Sequence, residues 1–310
     1  MAKPASSKVA STASSTDLDL STWSGWFQSF LSDNPDKRAG ELFFCKWIAV
    51  WLVYFGGIVV TKAYETFDAM SYMKVGLLSV LPPILIPLFF PKLSGEAHLH
   101  WAQRFTTKAN IWIFVFSWVG NYFWTHYFYK VLGTTYTMPS HDVNGVPLAL
   151  YFITHTYFLL YHVASSAALR ALWRKLARAP NPLSPRAQVI LVSVVIVVMC
   201  YTTAVMEVAT IASFPYYSYP DTKAMFIVGS GFYGIYFLTS FPMFLRMDEY
   251  AKSNAAAAPH DDLASRAAKL FTPLEALRDV LVHCMATTMA LDLWRITIGT
   301  SRLALKHGAT

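Results

Sequence analysis

The sequence has 310 residues, of which 55% are hydrophobic, 16% aromatic and only 14% charged. Soluble domains carry roughly 25% charged residues, so this composition, with a mean hydropathy of +0.38, excludes an ordinary water-soluble fold. The net charge of +7 does not indicate nucleic acid, because the basic residues lie between apolar runs. We expect membrane lipids, through the anionic surface of a bilayer, to be the partner of these basic residues.

Residues 1–33 are rich in Ser, Thr and Ala and predict a disordered cytosolic tail. A transit peptide is the alternative, but such peptides are poor in acidic residues and this segment contains Asp17 and Asp19. Near its end, five apolar side chains at near-helical spacing predict a short helix in the membrane interface. These side chains are Trp23, Trp26, Phe27, Phe30 and Leu31.

Seven apolar windows follow, each close to the roughly 20 residues that cross a bilayer as a helix. They cover residues 41–62, 72–91, 109–131, 148–169, 187–212, 224–245 and 278–299. We therefore predict an all-α protein, a polytopic membrane bundle of about seven transmembrane helices over residues 34–299. Within it, the Ala-rich stretch 251–260 is predicted to be a flexible cytosolic linker, and residues 300–310 form a C-terminal tail.

The second window contains Pro82, Pro83 and Pro87. Proline has no N–H and interrupts the hydrogen bonds of a helix. In a membrane, neighbouring helices can satisfy the carbonyl groups that are left free. The prolines therefore do not argue against a span.

The loops that alternate on one side of the seven windows hold most of the basic residues of the chain. By the positive-inside rule, that side is cytosolic. The N-terminus is thus predicted to lie in the cytosol and the C-terminus on the far side.

Polar residues inside the windows gather near the far side of the membrane when the windows are placed in this orientation. Ionisable residues within spans are costly and indicate functional sites. Five elements place such residues at similar height: Glu65, Asn121, His126, His155, His162, Glu207, Asp292 and Arg295.

Several of these residues also have a structural interpretation. Asp292 and Arg295 are three residues apart on one helix face and can neutralise each other. His155 and His162 share a face and can bind neighbouring helices through hydrogen bonds. Glu207 differs, because no basic residue lies within one helical turn of it. A carboxylic acid held neutral in apolar surroundings is a candidate proton donor.

The histidines do not follow the spacing of a metal site, and Cys45, Cys200 and Cys284 form no ligand pair. We predict no metal and no cofactor. The segment GSGFYG at 229–234 matches a nucleotide-binding pattern only in its letters, since no strand precedes it. Small residues there suit close packing of helices.

Several segments of the chain resemble the plant-type cyclopropyl sterol isomerases, the cycloeucalenol cycloisomerases. They are NPDKRAGELFF (34–44), YETF (64–67), VGNYFWTHYFYKVLG (119–133), FITHTYFLLYHVASS (152–166), FPYY (214–217), YFLTSFPMFLRMDE (236–249) and LDLWR (291–295). The segment EVATIAS (207–213) retains the carboxylate of the family but has Ser213 where plant members have Asn.

The resemblance implies an enzyme without a cofactor that opens the 9β,19-cyclopropane ring of cycloeucalenol to give obtusifoliol. Its substrate would be a sterol taken from the bilayer, and its site the endoplasmic reticulum membrane. The reaction needs an acid, a stabilised carbocation, a base and the exclusion of water.

Depth and chemistry suggest roles for the polar residues. Glu207 would be the acid and His155 or His162 the base or relay, while Asp292 would supply negative charge, tethered by Arg295. The rings of Tyr122 and Trp124 could face the cation. Glu65, Asn121 and His126 complete the predicted substrate contacts.

Three other functions are compatible with apolar spans that contain these polar residues. An isomerase that moves a sterol ring double bond needs a similar acid, base and cation site. A lipid transporter or a seven-span receptor needs no catalysis, but we find no internal repeat of the transporter kind and no cysteine in an outer loop. The sequence does not indicate an oligomeric state.

Overall fold

The computed structural model of the protein describes residues 23–249 and 270–299, most of them in helices. The first helices are α1 (Trp23–Gln28), α2 (Pro35–Val60), α3 (Ala69–Phe89), α4 (Phe105–Val119) and α5 (Thr125–Tyr127). Further on are α6 (Leu148–Ala177), α7 (Pro185–Ile211), α8 (Thr222–Ala224), α9 (Ser230–Arg246) and α10 (Pro273–Trp294). The predicted tails 1–22 and 300–310 and the predicted linker 251–260 lie outside the described residues.

Each of the seven apolar windows coincides with a long helical segment. Four of the helical segments in the described residues are long and apolar enough to cross a membrane, namely Pro35–Val60, Ala69–Phe89, Pro185–Ile211 and Thr222–Arg246. The chain is thus mostly helical, as predicted, and has helices that suit a bilayer. The Trp23–Gln28 segment is also helical, as its spacing predicts.

Wider, π-helical turns interrupt several of the helices. Gly120–Trp124 joins α4 to α5, and Phe128–Leu132 continues from α5. Met225–Gly229 joins α8 to α9, and Arg295–Gly299 follows α10. Turns of this kind are rare and occur frequently at functional sites.

Helix α6 lies at the centre of the bundle. It packs against α3 and also contacts α2, α4, α7 and α9. Helix α7 packs mainly on α9, and α10 packs on α4 and α9. Residues on different faces of α6 therefore meet different neighbours, which decides where its polar side chains point.

The prolines of α3 leave carbonyl groups that neighbouring helices satisfy, as the sequence predicts. Pro87 cannot donate to the carbonyl of Pro83, and the side-chain amide of Asn110 donates to that oxygen over 2.8 Å instead. Pro83 likewise frees the carbonyl of Ser79, which accepts from the Thr156 hydroxyl at 2.6 Å. These two bonds attach α3 to α4 and α6.

A buried network of charges closes one end of the bundle, and we call Lys37, Glu41, Arg170 and Glu249 the charged network. The Lys37 ammonium lies 2.7 Å from the Glu249 carboxylate and donates to the Leu245 carbonyl. Arg170 donates two hydrogen bonds to Glu249, of 2.6 and 2.8 Å, and one of 2.8 Å to Glu41. The network connects the start of α2 to the end of α6 and to the turn after α9.

A second ion pair extends this end of the bundle. Lys108, near the start of α4, pairs with Asp248, and both side chains are buried. Asp248 also accepts from the backbone N–H of Phe271, and its carbonyl accepts from Asn34. The apolar windows place Lys37 before the first span, and Lys108 and Arg170 in loops between spans. In the structure the helices are longer than the apolar windows, so these cations lie inside the protein.

The opposite end of the bundle carries two small antiparallel sheets. Strand β1 (Thr135–Tyr136) pairs with β4 (Tyr217–Ser218), while β2 (Asp142–Val143) forms a hairpin with β3 (Val146–Pro147). Asn144 and Gly145 form its two-residue turn with φ of 54° and 68°. This backbone twist is the one that tight hairpins favour. The all-α prediction holds for the bundle and misses these short strands.

Candidate functional site

A large cavity lies between the helices toward the end of the bundle that carries the strands. The empty space between its walls is about 1330 Å³, a volume that includes space open to the outside. Its walls come from α2, α3, the π-helical turns around α5, α6, α7 and α9, and they are mainly aromatic and aliphatic.

Glu207 supplies the carboxyl group of this cavity. It is the one Asp, Glu, His, Lys or Arg residue among the described residues that line the wall. The hydroxyl of Tyr161 on α6 donates a short hydrogen bond to the Glu207 carboxyl oxygen. Glu207 lies in the last turns of α7, where an otherwise apolar helix turns this side chain inward. The Glu207 carboxyl group thus faces an apolar cavity and accepts a hydrogen bond from the Tyr161 hydroxyl.

Tyrosine rings form much of the wall around Glu207. Tyr136 and Tyr217 face each other across the β1–β4 pair, with ring centroids 4.6 Å apart. Tyr233 and Tyr236 lie side by side on α9, at 5.5 Å, and Tyr157 approaches from α6. The electron-rich face of an aromatic ring attracts a cation. The wall can therefore stabilise positive charge without offering it a second carboxylate.

The sequence reasoning missed this set of tyrosines and the role of Tyr161. The only sequence feature that indicates these tyrosines is the high aromatic content of the segments near Glu207. A tyrosine in an apolar helix has many possible functions, however, and only the packing of α6 on α7 and α9 selects these rings.

Asn121 lines the same cavity from the π-helical turn Gly120–Trp124. Its amide nitrogen donates to the Ser117 carbonyl and to the Thr154 hydroxyl, each over 2.8 Å. Of the polar residues selected from the sequence, Asn121 and Glu207 are the two that the structure brings to the cavity wall.

His155 and His162 lie on α6 and do not line the cavity. His155 is buried, and its Nε2 lies 3.0 Å from the amide oxygen of Asn110. The two nitrogens of His162 lie 2.7 Å from the Phe158 carbonyl and 3.0 Å from the Ser240 hydroxyl. Both imidazoles are therefore placed as links between helices, and their catalytic roles stay predictions.

The aromatic residues selected near α5 also lie outside the cavity wall. Trp124 is buried behind the Tyr236 ring, at 4.6 Å, and its indole N–H donates to Thr288. Tyr122 is exposed. His126 packs against the ring of Tyr129, with centroids 5.4 Å apart.

Asp292, Arg295 and Glu65 lie further away. Asp292 accepts from the Tyr127 hydroxyl at 3.0 Å and pairs with Arg295 at 3.6 Å, and both charged groups are about half exposed. Glu65 is exposed, and its backbone carbonyl accepts from the Tyr216 hydroxyl. No group of three or more His, Cys, Asp and Glu side chains suited to a metal ion occurs in the described segments 23–249 and 270–299.

A bundle of apolar helices around an apolar cavity with one acid is typical of an integral membrane protein. Comparison with known proteins identifies its family. The chain is 44% identical over 273 residues to cycloeucalenol cycloisomerase of Arabidopsis thaliana, and the match covers 87% of this chain and 89% of that protein. The chain belongs to the cycloeucalenol cycloisomerase family and is a sterol isomerase. No family model and no solved structure matches it.

Proposed function

We propose that the chain opens the cyclopropane ring of cycloeucalenol to give obtusifoliol, and that Glu207 supplies the proton. The observation that carries this assignment is that Glu207 is the one carboxyl group on the described wall of an apolar cavity. Ring opening of an unactivated cyclopropane needs a strong proton donor close to the ring. A carboxylic acid in apolar surroundings stays protonated at neutral pH and so has a proton to transfer.

The protons and electrons of the reaction balance without a co-reactant. The carboxylic acid transfers its proton to carbon 19, and the electron pair of the bond between carbons 9 and 19 forms the new C–H bond. Carbon 9 becomes a cation. Loss of a proton from carbon 8 then leaves its electron pair as the double bond between carbons 8 and 9. The carboxylate formed in the first step is the strongest base on the described wall and takes that proton.

The cation must survive between these two steps. The tyrosine rings around Glu207 lie where they can face it, and each ring contributes an attraction of about 0.5–2 kcal/mol. The apolar wall keeps water away from carbon 9, where water would trap the cation as an alcohol. These two properties make the cavity suitable for a carbocation.

A test of the proton donor is Glu207→Gln, expressed in membranes of a host that lacks the activity. Conversion of cycloeucalenol, followed by gas chromatography and mass spectrometry, should fall at least 100-fold, since general acid catalysis contributes roughly 10²–10⁴-fold. Asp142→Asn is the control, because it removes an exposed carboxyl in strand β2 at the same end of the bundle. Undiminished conversion by Glu207→Gln would exclude this carboxyl as the donor.

The histidines need a separate experiment. A double change of His155 and His162 to Phe tests whether an imidazole takes or relays the proton. If it does, turnover disappears in protein that still folds and inserts. Turnover that survives would restrict both residues to packing and hydrogen bonding within the bundle.

We propose that all seven long helical segments cross the endoplasmic reticulum membrane and that the N-terminus is cytosolic. The bias of basic residues toward one set of loops supports this orientation. It places the charged network at the cytosolic end and the cavity in the far half of the bilayer. The sterol would then enter from the surrounding lipid, without nucleic acid or any other macromolecular partner.

A further inference from the structure

We propose that the amide oxygen of Asn121 accepts a hydrogen bond from the 3-hydroxyl of the sterol and so sets which end of the molecule approaches Glu207. This inference rests on the proposed function, since it concerns how the same cavity holds the same substrate. It assigns a binding role to one atom, and four features of the structure support it.

The first feature is the orientation of the Asn121 side chain, which its neighbours fix. The Ser117 carbonyl can only accept, so the amide nitrogen must face it, at 2.8 Å. The Thr154 hydroxyl uses its hydrogen on the Leu150 carbonyl, at 2.7 Å, and therefore accepts from Asn121. Both amide hydrogens are used, and the oxygen is turned away from these two partners.

The second feature is that this oxygen is an acceptor without a protein donor. Asn121 is 6% exposed and lines the cavity. Among the described residues, no donor to its amide oxygen occurs within hydrogen-bond distance. An acceptor left unpaired in an apolar site is unfavourable. A ligand that brings one hydroxyl group to this point removes that penalty.

The third feature is the backbone that carries Asn121. The π-helical turn Gly120–Trp124 is wider than an α-helical turn, and Asn121 within it and Thr125 directly after it both line the cavity. Gly120 also lines the cavity, and a Cβ there would lie 3.3 Å from the ring of Trp124. The turn therefore presents Asn121 at the cavity wall while leaving room for the buried Trp124 ring behind it.

The fourth feature is the distance between the two polar ends of the cavity. Asn121 is attached to Thr154 and Glu207 to Tyr161, and these two residues share a face of α6. They are seven residues apart, about 10.5 Å along the axis at 1.5 Å per residue. Long side chains on an α-helix generally lean toward its N-terminus, so we expect the Tyr161 hydroxyl to lie nearer Thr154 than this axial spacing.

A sterol with a cyclopropane at carbons 9, 10 and 19 fits this spacing. The 3-hydroxyl and the cyclopropane lie at opposite corners of the first ring, a separation similar to one helical turn. With the hydroxyl on Asn121, the three-membered ring therefore faces Glu207, and the remaining rings and the side chain occupy the apolar part of the cavity.

The experiment compares substrates that differ only at carbon 3. Wild-type protein is assayed with cycloeucalenol, with its 3-ketone, which accepts but cannot donate, and with its 3-methyl ether. If Asn121 needs a donor, kcat/KM for the ketone and the ether falls about tenfold or more relative to the alcohol. Absence of any conversion of the alcohol would overturn the proposed function and this inference with it. Equal conversion of alcohol and ketone would overturn the inference alone.

A variant then assigns the effect to one residue. Asn121→Leu removes the acceptor, so the ratio of kcat/KM between alcohol and ketone should fall close to one. Thr125→Val is the matched control, because it removes another polar group of the same wall and should keep the wild-type ratio. If Asn121→Leu still prefers the alcohol to the ketone, another group binds the 3-hydroxyl and the inference is wrong. If this variant does not fold, the comparison of substrates with wild-type protein still decides whether a donor is required.

Discussion

The hydrogen bond from Tyr161 to Glu207 gives a prediction whose size follows from the structure. Tyr161→Phe removes one hydroxyl and leaves the ring, which packs against Phe237 at 5.7 Å. Tyr161 does not belong to the cavity wall, so it acts on the reaction through Glu207 and is a positioning residue. The bond contributes about 1 kcal/mol to a neutral carboxylic acid and about 1.5–3 kcal/mol to a carboxylate.

The difference between these values is the part that affects the rate. Glu207 becomes a carboxylate as the proton leaves, so Tyr161 stabilises the developing charge more than the starting acid. Loss of this difference, about 0.5–2 kcal/mol, lowers kcat roughly 2- to 30-fold. The KM should stay close to wild type, since no contact with the sterol is removed.

The assay is the initial rate of product formation in membranes over a range of sterol concentrations. Tyr157→Phe is the matched control, because Tyr157 lines the cavity and has no direct hydrogen bond to Glu207 among the described contacts. A wild-type kcat for Tyr161→Phe would refute the reasoning. A rise in KM at unchanged kcat would place Tyr161 in substrate binding instead.

Two further predictions concern the charged network and are measured by thermal unfolding in detergent. Arg170→Met leaves Glu41 and Glu249 facing one cation, and loss of a buried partner costs about 3–5 kcal/mol. Arg246→Met, which removes a half-exposed cation, should cost less than about 1 kcal/mol, and equal losses would contradict this account. Burial alone would raise the pKa of Glu249, but hydrogen bonds from Arg170 and the charge of Lys37 lower it to about 2. Glu249 thus stabilises the fold fully above its ordinary value of 4.5 and loses this effect as the pH falls toward 2. The deficit of Glu249→Gln should be largest near pH 7 and shrink in acid, and a deficit independent of pH would refute the assignment.

The sequence shows where polar residues lie along their helices, but it does not predict the direction in which their side chains point. Counting along the apolar windows puts Glu207 in the far half of the membrane and His162 near its centre. The structure turns Glu207 into the cavity and His162 toward Ser240. Depth follows from counting residues along a helix, whereas direction depends on how the helix rotates against its neighbours. The π-helical turn at Asn121 adds a change of direction that a regular 3.6-residue period does not contain.

Ion pairs likewise differ in whether the sequence predicts them. The pairing of Asp292 with Arg295 follows from their spacing of three residues, and the structure adds only the hydroxyl of Tyr127. Lys37 and Arg170, by contrast, belong to segments that are far apart in the chain, and their shared partner Glu249 is a tertiary contact. A local pattern predicts the first kind of pair and carries no information on the second.

The cavity wall is assembled from residues spread between positions 55 and 236, and α10 contributes none of the described lining. During synthesis, the place for a sterol is therefore complete only once α9 has joined the bundle. Helix α10 then packs behind α4 and α9 and holds them in position. A small molecule that fills the cavity binds only the assembled chain, so it would favour assembly and raise the yield of variants whose helices associate weakly.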